Sequence, residues 1–247
     1  MTAEPVGGGS PIDEALRYIG AFEPEFAQRV VGAAASEIDA LQAAAGGAPL
    51  PALYRQFLQR LGHGLVLDGL QAANYDVQAV LARYRFGYQP PPKFWMLGRV
   101  SGDPYFDVYV FSPDGLQTRV LAFPPPPSTN SAGEFVRQHA QFLAGNLAQF
   151  LADAAFRRHR LAGFSSQQVL SSRQPGAKRL SHCDAALAPL GLKPLWFSDD
   201  WQRFYDAPEG VAMATEYPGQ QTAVLMRAHE PALLTRWTQA MRPVLDR

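Results

Sequence analysis

The chain has 247 residues, of which 47% are hydrophobic and 18% are charged, and its Lys+Arg and Asp+Glu totals are both 22. This apolar content is enough for a buried core, and the low charge excludes a disordered acidic or basic chain. Neither the part before nor the part after Gly163 has a marked positive excess, which excludes a non-specific nucleic-acid binder. We therefore expect one large domain, or a core domain with a smaller one.

Two helices are predicted in the first 45 residues. Ser10 is placed to cap the first helix, which begins at Pro11 and ends at Gly20. An apolar stripe then predicts one continuous second helix from Pro24 to about Ala45.

The third predicted helix begins at Pro51, and Gly62 is expected to end it in a left-handed conformation. Its spacing of apolar residues predicts one buried face. That face consists of Tyr54, Phe57, Leu58 and Leu61.

An antiparallel meander is predicted next, after a weaker helical pattern from Asp76 to Arg85. Its strands are expected at Phe94 to Val100, Tyr105 to Ser112 and Thr118 to Phe123. A capping box at Ser131 then predicts one long helix that continues past Leu151.

The Ser- and Gln-rich composition from Gly163 to Gly176 predicts a linker. This linker divides the chain into two predicted domains, 1–163 and 164–247. The tail predicts a short helix, several strands and a last helix from Pro231. Its elements are a helix from Ser181 to Gly191 and strands at 193–198, 202–205, 211–216 and 222–227. The predicted fold class is therefore α+β, with a small α+β unit after the first domain.

One cysteine, Cys183, excludes an intrachain disulfide and fits a reducing compartment. The start of the chain has no basic segment followed by an apolar one, and no apolar run reaches the length of a spanning helix. We therefore expect a cytoplasmic protein without a membrane contact.

The chain contains no nucleotide-binding glycine motif, no His-Glu-x-x-His and no paired Cys-x-x-Cys, so no cofactor or metal is expected. Cys183 falls on an apolar stripe, where a buried hydrophobic role is the ordinary interpretation. His63, between two glycines, is interpreted as a capping or surface residue, and His139 as a buried one. We therefore expect a protein that is not an enzyme.

Partner binding is the remaining hypothesis, and a predicted loop and the start of a predicted strand carry candidate contact residues. Asp199, Asp200 and Trp201 place two acids beside a large aromatic side chain in a predicted loop. Tyr105 and Asp107 lie at the start of a predicted strand. These five residues are the predicted partner-binding set.

The third helix also carries a familiar pattern: Leu50-Pro51, then Tyr54, then Phe57-Leu58, then Gly62-His63-Gly64. Together with Phe94 to Gly98 and Gly102 to Phe106, it resembles the signature of the SUKH superfamily. That family includes a cell-wall assembly regulator and bacterial immunity proteins that neutralise toxins. The resemblance covers residues 24 to 155 and implies a non-catalytic α+β fold that binds a partner protein.

Three hypotheses follow. The first is an immunity protein that neutralises a cognate secreted toxin. The second is a regulatory or secretion-associated adaptor with a non-toxic partner. The third is an enzyme that acts through Cys183 or the Asp199-Asp200 region.

Overall fold

The structure is a computed structural model that describes residues 9–67, 73–100, 106–126, 132–175, 179–217 and 219–246. Two compact units divide the chain, and the division falls between Ala155 and Phe156. The sequence-based boundary was placed later, after Gly163. The α+β class is confirmed, because each unit combines helices with an antiparallel sheet.

The first unit contains seven helices and five strands in its described residues. The helices are α1 (Pro11–Gly20), α2 (Phe26–Arg29), α3 (Ala35–Ala44), α4 (Ala52–Leu61), α5 (Val77–Arg85), α6 (Ala132–His139) and α7 (Leu147–Ala155). The strands are β1 (Ala73–Asn74), β2 (Phe94–Val100), β3 (Asp107–Phe111), β4 (Arg119–Phe123) and β5 (Gln141–Ala144).

The five strands form one antiparallel sheet in the order β1-β2-β3-β4-β5. Helices α1, α4, α5 and α7 share a buried apolar core with the central strands. Helix α1 has the predicted cap, because Ser10 Oγ accepts a hydrogen bond from the amide of Asp13 at 3.2 Å. The buried face predicted for α4 is also confirmed.

Two of the predicted helices are interrupted. The second is broken at residues 30–34, where the chain is extended between α2 and α3. The long helix is broken at β5, which pairs with β4 instead of continuing α6. In both places long-range backbone pairing outweighs the local helical pattern. Ser131, the predicted start of the long helix, lies outside the described residues.

Two tyrosine hydroxyl groups satisfy the backbone of Met96 in strand β2. The hydroxyl of Tyr54 donates to the carbonyl of Met96 at 2.6 Å, and the hydroxyl of Tyr84 accepts from its amide at 3.0 Å. Strand β1 pairs only with Val100 and Arg99, so it does not reach this part of β2. The tyrosines of α4 and α5 therefore replace a neighbouring strand at Met96.

The second unit begins with a wide helical turn, Phe156–Arg160, and a short turn, Leu161–Gly163. Its helices are α8 (Leu180–Leu187) and α9 (Pro231–Leu245), with a 3-10 turn at Ala188–Leu190. Its strands are β6 (Ser166–Pro175), β7 (Gln202–Ala207), β8 (Gly210–Thr215) and β9 (Gln221–Ala228).

These four strands form an antiparallel sheet in the order β6-β9-β8-β7. Helices α8 and α9 share an apolar core with one face of this sheet, and Trp237 is among its largest buried side chains. The predicted linker was wrong, because residues 166–175 form β6. The strand predicted at 193–198 was also wrong, since only Pro194 makes a bridge, to Tyr205.

No helix in the described part of the chain combines the length and apolar character that crossing a membrane requires. The longest, α9, is amphipathic: Leu234, Trp237, Met241 and Leu245 are buried, while much of its remaining surface is exposed. This helix therefore stabilises the second unit by packing on its sheet.

We predict that Tyr54→Phe lowers the free energy of unfolding by about 1–3 kcal/mol, because it leaves the buried carbonyl of Met96 without its donor. Chemical denaturation measures the change. The control is Thr235→Val, which removes the hydroxyl of an exposed residue that donates to the carbonyl of Pro231 at 3.1 Å and is expected to cost less. Wild-type stability in Tyr54→Phe would contradict this role for the hydroxyl.

Candidate functional site

Two stretches of backbone lie in direct contact in the first unit. The amide of Val31 donates to the carbonyl of His63 at 3.1 Å, and the amide of His63 donates to the carbonyl of Val31 at 2.9 Å. The amide of Ala33 donates to the carbonyl of Leu58 at 2.8 Å. The segment that interrupts the predicted second helix is therefore held against the end of α4.

Glycines make this approach feasible. A Cβ atom on Gly32 would lie 1.9 Å from the carbonyl oxygen of Gln59, and one on Gly62 would lie 2.5 Å from the amide nitrogen of Ala33. Gly64 has a positive φ of 74°, and its Cβ would lie 2.2 Å from the carbonyl oxygen of Arg29. Larger residues at these positions would push the two backbones apart.

The expected conformation of Gly62 was wrong. It is right-handed, with φ of −63°, and Gly64 is the residue in the left-handed region. Gly62 is needed for close packing instead, and its carbonyl accepts the amide of Val77 at 2.8 Å. That bond ties the start of α5 to the end of α4.

His63 lies between two carboxylates as a result. Its Nε2 is 3.0 Å from Oε2 of Glu37, and its Nδ1 is 3.0 Å from Oδ2 of Asp76. Glu37 is in the first turn of α3, and Asp76 caps α5 by accepting the amide of Gln78 at 2.8 Å. One imidazole thus joins the N-terminal ends of two helices.

Both carboxylates have further partners that fix their positions. Glu37 Oε2 accepts the amide of Ala34 at 2.8 Å, and Glu37 Oε1 accepts the side-chain amide of Gln78. The amide of Asp76 donates to the side-chain oxygen of Asn74 at 2.9 Å. The cluster is therefore pre-organised by local backbone contacts as well as by the imidazole.

The electrostatics favour a charged imidazole. The hydrogen bond to Glu37, together with the one to Asp76, raises the pKa of His63 above its ordinary value. The hydrogen bond from His63 lowers the pKa of Glu37 to about 2. With both ring nitrogens directed at carboxylates, His63 has no free nitrogen to accept a proton from a substrate.

Two exposed valines accompany this cluster. Val31, the bridge partner of His63, is 61% exposed, and Val66 is 63% exposed between the buried Leu65 and Leu67. Val66 lies three residues after His63 in the chain, and exposed apolar side chains beside polar groups are candidates for contact with a partner protein. We name the set Val31, Glu37, His63, Val66 and Asp76 the His63 surface.

Of the predicted contact residues in the first unit, Tyr105 lies outside the described residues. Asp107 is only 4% exposed, at the start of β3. Burial raises its pKa, although Arg83 and Arg99 partly offset this effect. A side chain so enclosed has little surface to offer a partner, and contact through Asp107 stays a prediction.

The three predicted residues of the second unit lie together before β7. Oδ1 of Asp199 accepts the amides of Trp201 and Gln202 at 2.8 and 2.7 Å, so its carboxylate forms the turn. Asp200 is exposed and Trp201 is partly buried. Contact with a partner through these residues stays a prediction.

Cys183 is fully buried in the core of the second unit. Burial raises the pKa of its thiol to about 12, and the nearby Asp184 and Glu216 add to the effect. A thiol of this kind is protonated near neutral pH, so the geometry disfavours the cysteine form of the enzyme hypothesis.

Sequence reasoning noticed His63 but missed both of its partners. Glu37 and Asp76 are separated from it by 26 and 13 residues, and only the fold brings them together. The glycines on both sides of His63 were the available signal, since they mark a close backbone approach.

His139, predicted to be buried, is exposed and stacks on Phe135. In the described residues, no three His, Cys, Asp or Glu side chains are arranged to hold a metal ion.

We predict that the His63 contribution to stability depends on pH. The raised pKa of His63 means that its contribution is complete below its ordinary value of 6.5 and is lost as the pH rises through the folded value. The lowered pKa of Glu37 means that its contribution is complete above its ordinary 4.5 and is lost as the pH falls toward 2. The stability difference between wild type and His63→Gln should therefore be greatest between pH 4.5 and pH 6.5.

Urea denaturation across the pH range measures this difference. His139→Gln, at a ring stacked on Phe135, is the matched control and should follow the wild-type profile. A His63→Gln variant that runs parallel to wild type at every pH would contradict the ionic role of the cluster.

Comparison with known proteins gives no relative for this chain: no family model, no curated protein and no solved structure matches it. The resemblance of residues 24 to 155 to the SUKH superfamily is carried by the quoted residues alone. It therefore stays a prediction.

Proposed function

We propose that this chain is a protein-binding protein that neutralises a cognate bacterial toxin, and that the His63 surface makes the contact. The observation that carries the proposal is the exposure of Val31, the bridge partner of His63, and of Val66, close to His63 in sequence, together with a charged cluster in which both ring nitrogens of His63 are hydrogen-bonded. Such a surface offers apolar contact area and costs little conformational entropy on binding.

The chemistry of the cluster favours recognition over catalysis. A general base needs a nitrogen or oxygen that is free to take a proton from substrate. In the His63 surface both imidazole nitrogens face carboxylates, and Glu37 also accepts from Ala34 and Gln78. The imidazole and the two carboxylates therefore stabilise the positions of α3, α5 and the turn at His63.

The family resemblance supports the same conclusion. Its quoted residues have structural roles here: Tyr54 holds the edge of β2, Phe57 and Leu58 are buried in the core, and Gly62 and Gly64 allow the backbone approach. The signature therefore builds the scaffold that presents His63. In an immunity protein, the residues around such a scaffold would select the toxin.

The charges of the surface restrict the partner. Glu37 and Asp76 bring two negative charges and a protonated His63 brings one positive charge, which leaves a net charge of −1. We expect the toxin to offer an apolar depression for the valines, with hydrogen-bond donors or a cation at its edge.

We predict that Val31→Asp combined with Val66→Asp weakens toxin binding by about tenfold to a thousandfold, because each change places a charge against an apolar partner surface. The test is co-expression with each candidate toxin found among the neighbouring genes. Growth rescue and the affinity of the purified pair are the two measurements.

The matched control is Phe86→Asp combined with Leu116→Asp. These side chains are 88% and 87% exposed, but they belong to the end of α5 and to the β3–β4 turn. Full rescue by this control and loss of rescue in the valine variant support the proposal. Equal rescue by both variants places the contact elsewhere, and tight binding to a non-toxic partner instead favours the adaptor hypothesis.

A further inference from the structure

Strand β6 has an open outer edge in the described structure. It is the first strand in the order β6-β9-β8-β7, and its ladder runs to β9. Gln167, Gln168 and Val169 are exposed, and Val169 is 55% exposed. An edge of this length presents backbone amide and carbonyl groups that can pair with another strand, and the side-chain amide of Gln168, which donates to the carbonyl of Val169 at 3.2 Å, is the group that a pairing strand would replace.

The opposite edge of the same sheet is covered. The amide of Leu195 donates to the carbonyl of Phe204 in β7 at 2.7 Å, and Pro194 forms a bridge with Tyr205. The chain before β7 therefore runs along this edge and occupies its backbone groups. The outer edge of β7 is therefore hydrogen-bonded by its own chain, whereas no described strand pairs with the outer edge of β6.

The usual protection of an edge strand is weak in the regular part of β6. Residues 166–171 contain no charged side chain and no proline. The irregular register and Pro175 come only after Ser171. Exposed edge strands are normally protected by lysines, prolines or bulges, and this stretch has none of these.

A row of apolar residues crosses the sheet and ends at the open edge. Directly opposed residues in successive strands are Phe204, Met213, Leu225 and Val169. Phe204 is fully buried, Met213 and Leu225 are partly buried, and Val169 is exposed. Burial therefore falls along the row toward β6, where the apolar row stops.

We propose that β6 pairs with β6 of a second copy of this chain, antiparallel about a two-fold axis that places Val169 opposite the Val169 of the second copy. This pairing continues the apolar row through the interface and joins the two sheets. It uses only the second unit, so it goes beyond the proposed toxin binding and does not depend on it.

The composition of β6 fits a second copy in this register. Around the axis, Gln168 faces Leu170 of the second copy and Gln167 faces its Ser171, so no like charges meet. Arg173 falls opposite Ser165 of the second copy rather than opposite another arginine. Its guanidinium is paired with Asp246 of its own chain at 3.5 Å. A two-fold axis makes the contact self-complementary and closed.

Sedimentation velocity of the full chain tests the dimer, and we expect a concentration-dependent shift from monomer to dimer in the micromolar range. Val169→Lys and Val169→Glu each place like charges directly opposite each other, so each variant alone should be monomeric. A mixture of the two should form dimers again, because opposite charges then face across the axis.

Cysteine cross-linking tests the register. Wild type has one thiol, Cys183, which is fully buried, so its background is low. Val169→Cys should form a disulfide dimer on mild oxidation, since the two thiols face each other. Ser171→Cys, which faces Gln167 of the second copy, is the matched control and should cross-link several-fold more slowly.

The expected results are a wild-type dimer, dissociation by either charge, recovery in the mixture and selective cross-linking at residue 169. A wild-type chain that remains monomeric throughout the concentration range would overturn the proposal. So would a dimer that survives both charged variants, or equal cross-linking at residues 169 and 171. Toxin binding through the His63 surface is unaffected by any of these outcomes.

Discussion

The contact between residues 29–33 and 58–64 is the constraint on which the candidate site depends. No side chain separates the two backbones, because glycines at positions 32, 62 and 64 leave room for carbonyl and amide groups to meet. The contact fixes His63, and the bond from Val77 to the carbonyl of Gly62 brings Asp76 to it. Glu37 reaches it because the same segment leads directly into α3. The charged cluster is thus a consequence of backbone geometry.

The first unit also shows how backbone groups at the edge of a strand are hydrogen-bonded by groups other than a neighbouring strand. Strand β1 does not reach the buried Met96, which pairs with β3 on its other side, and Tyr54 and Tyr84 supply the missing donor and acceptor. In the second unit, residues 194–195 perform the same task for β7. At the outer edge of β6 no described strand or segment forms a ladder, although the side-chain amide of Gln168 donates to the carbonyl of Val169. That contrast is the physical basis for the inferred pairing with a second copy.

Local patterns predicted much of this fold, and three misassigned segments share one cause. The cap at Ser10, the buried face of α4, the meander and the last helix follow from spacing and end signals within a few residues. Residues 30–34, β5 and β6 were misassigned because their conformation is decided by distant partners. Glu37 and Asp76 were missed for the same reason, since neither lies near His63 in sequence. The residues quoted for the SUKH resemblance include the turn Gly62-His63-Gly64 but not the carboxylates that surround His63.

The most direct test of the backbone contact is the unfolding free energy of Gly62→Ala compared with Gly20→Ala. A Cβ at position 62 meets the backbone of Ala33 at 2.5 Å, whereas one at position 20 meets nothing within 4 Å. We expect Gly62→Ala to lose about 1–3 kcal/mol by overpacking, and Gly20→Ala to stay within about 1 kcal/mol of wild type. If Gly62→Ala is as stable as Gly20→Ala and retains the pH profile of wild type, the contact is not what positions His63.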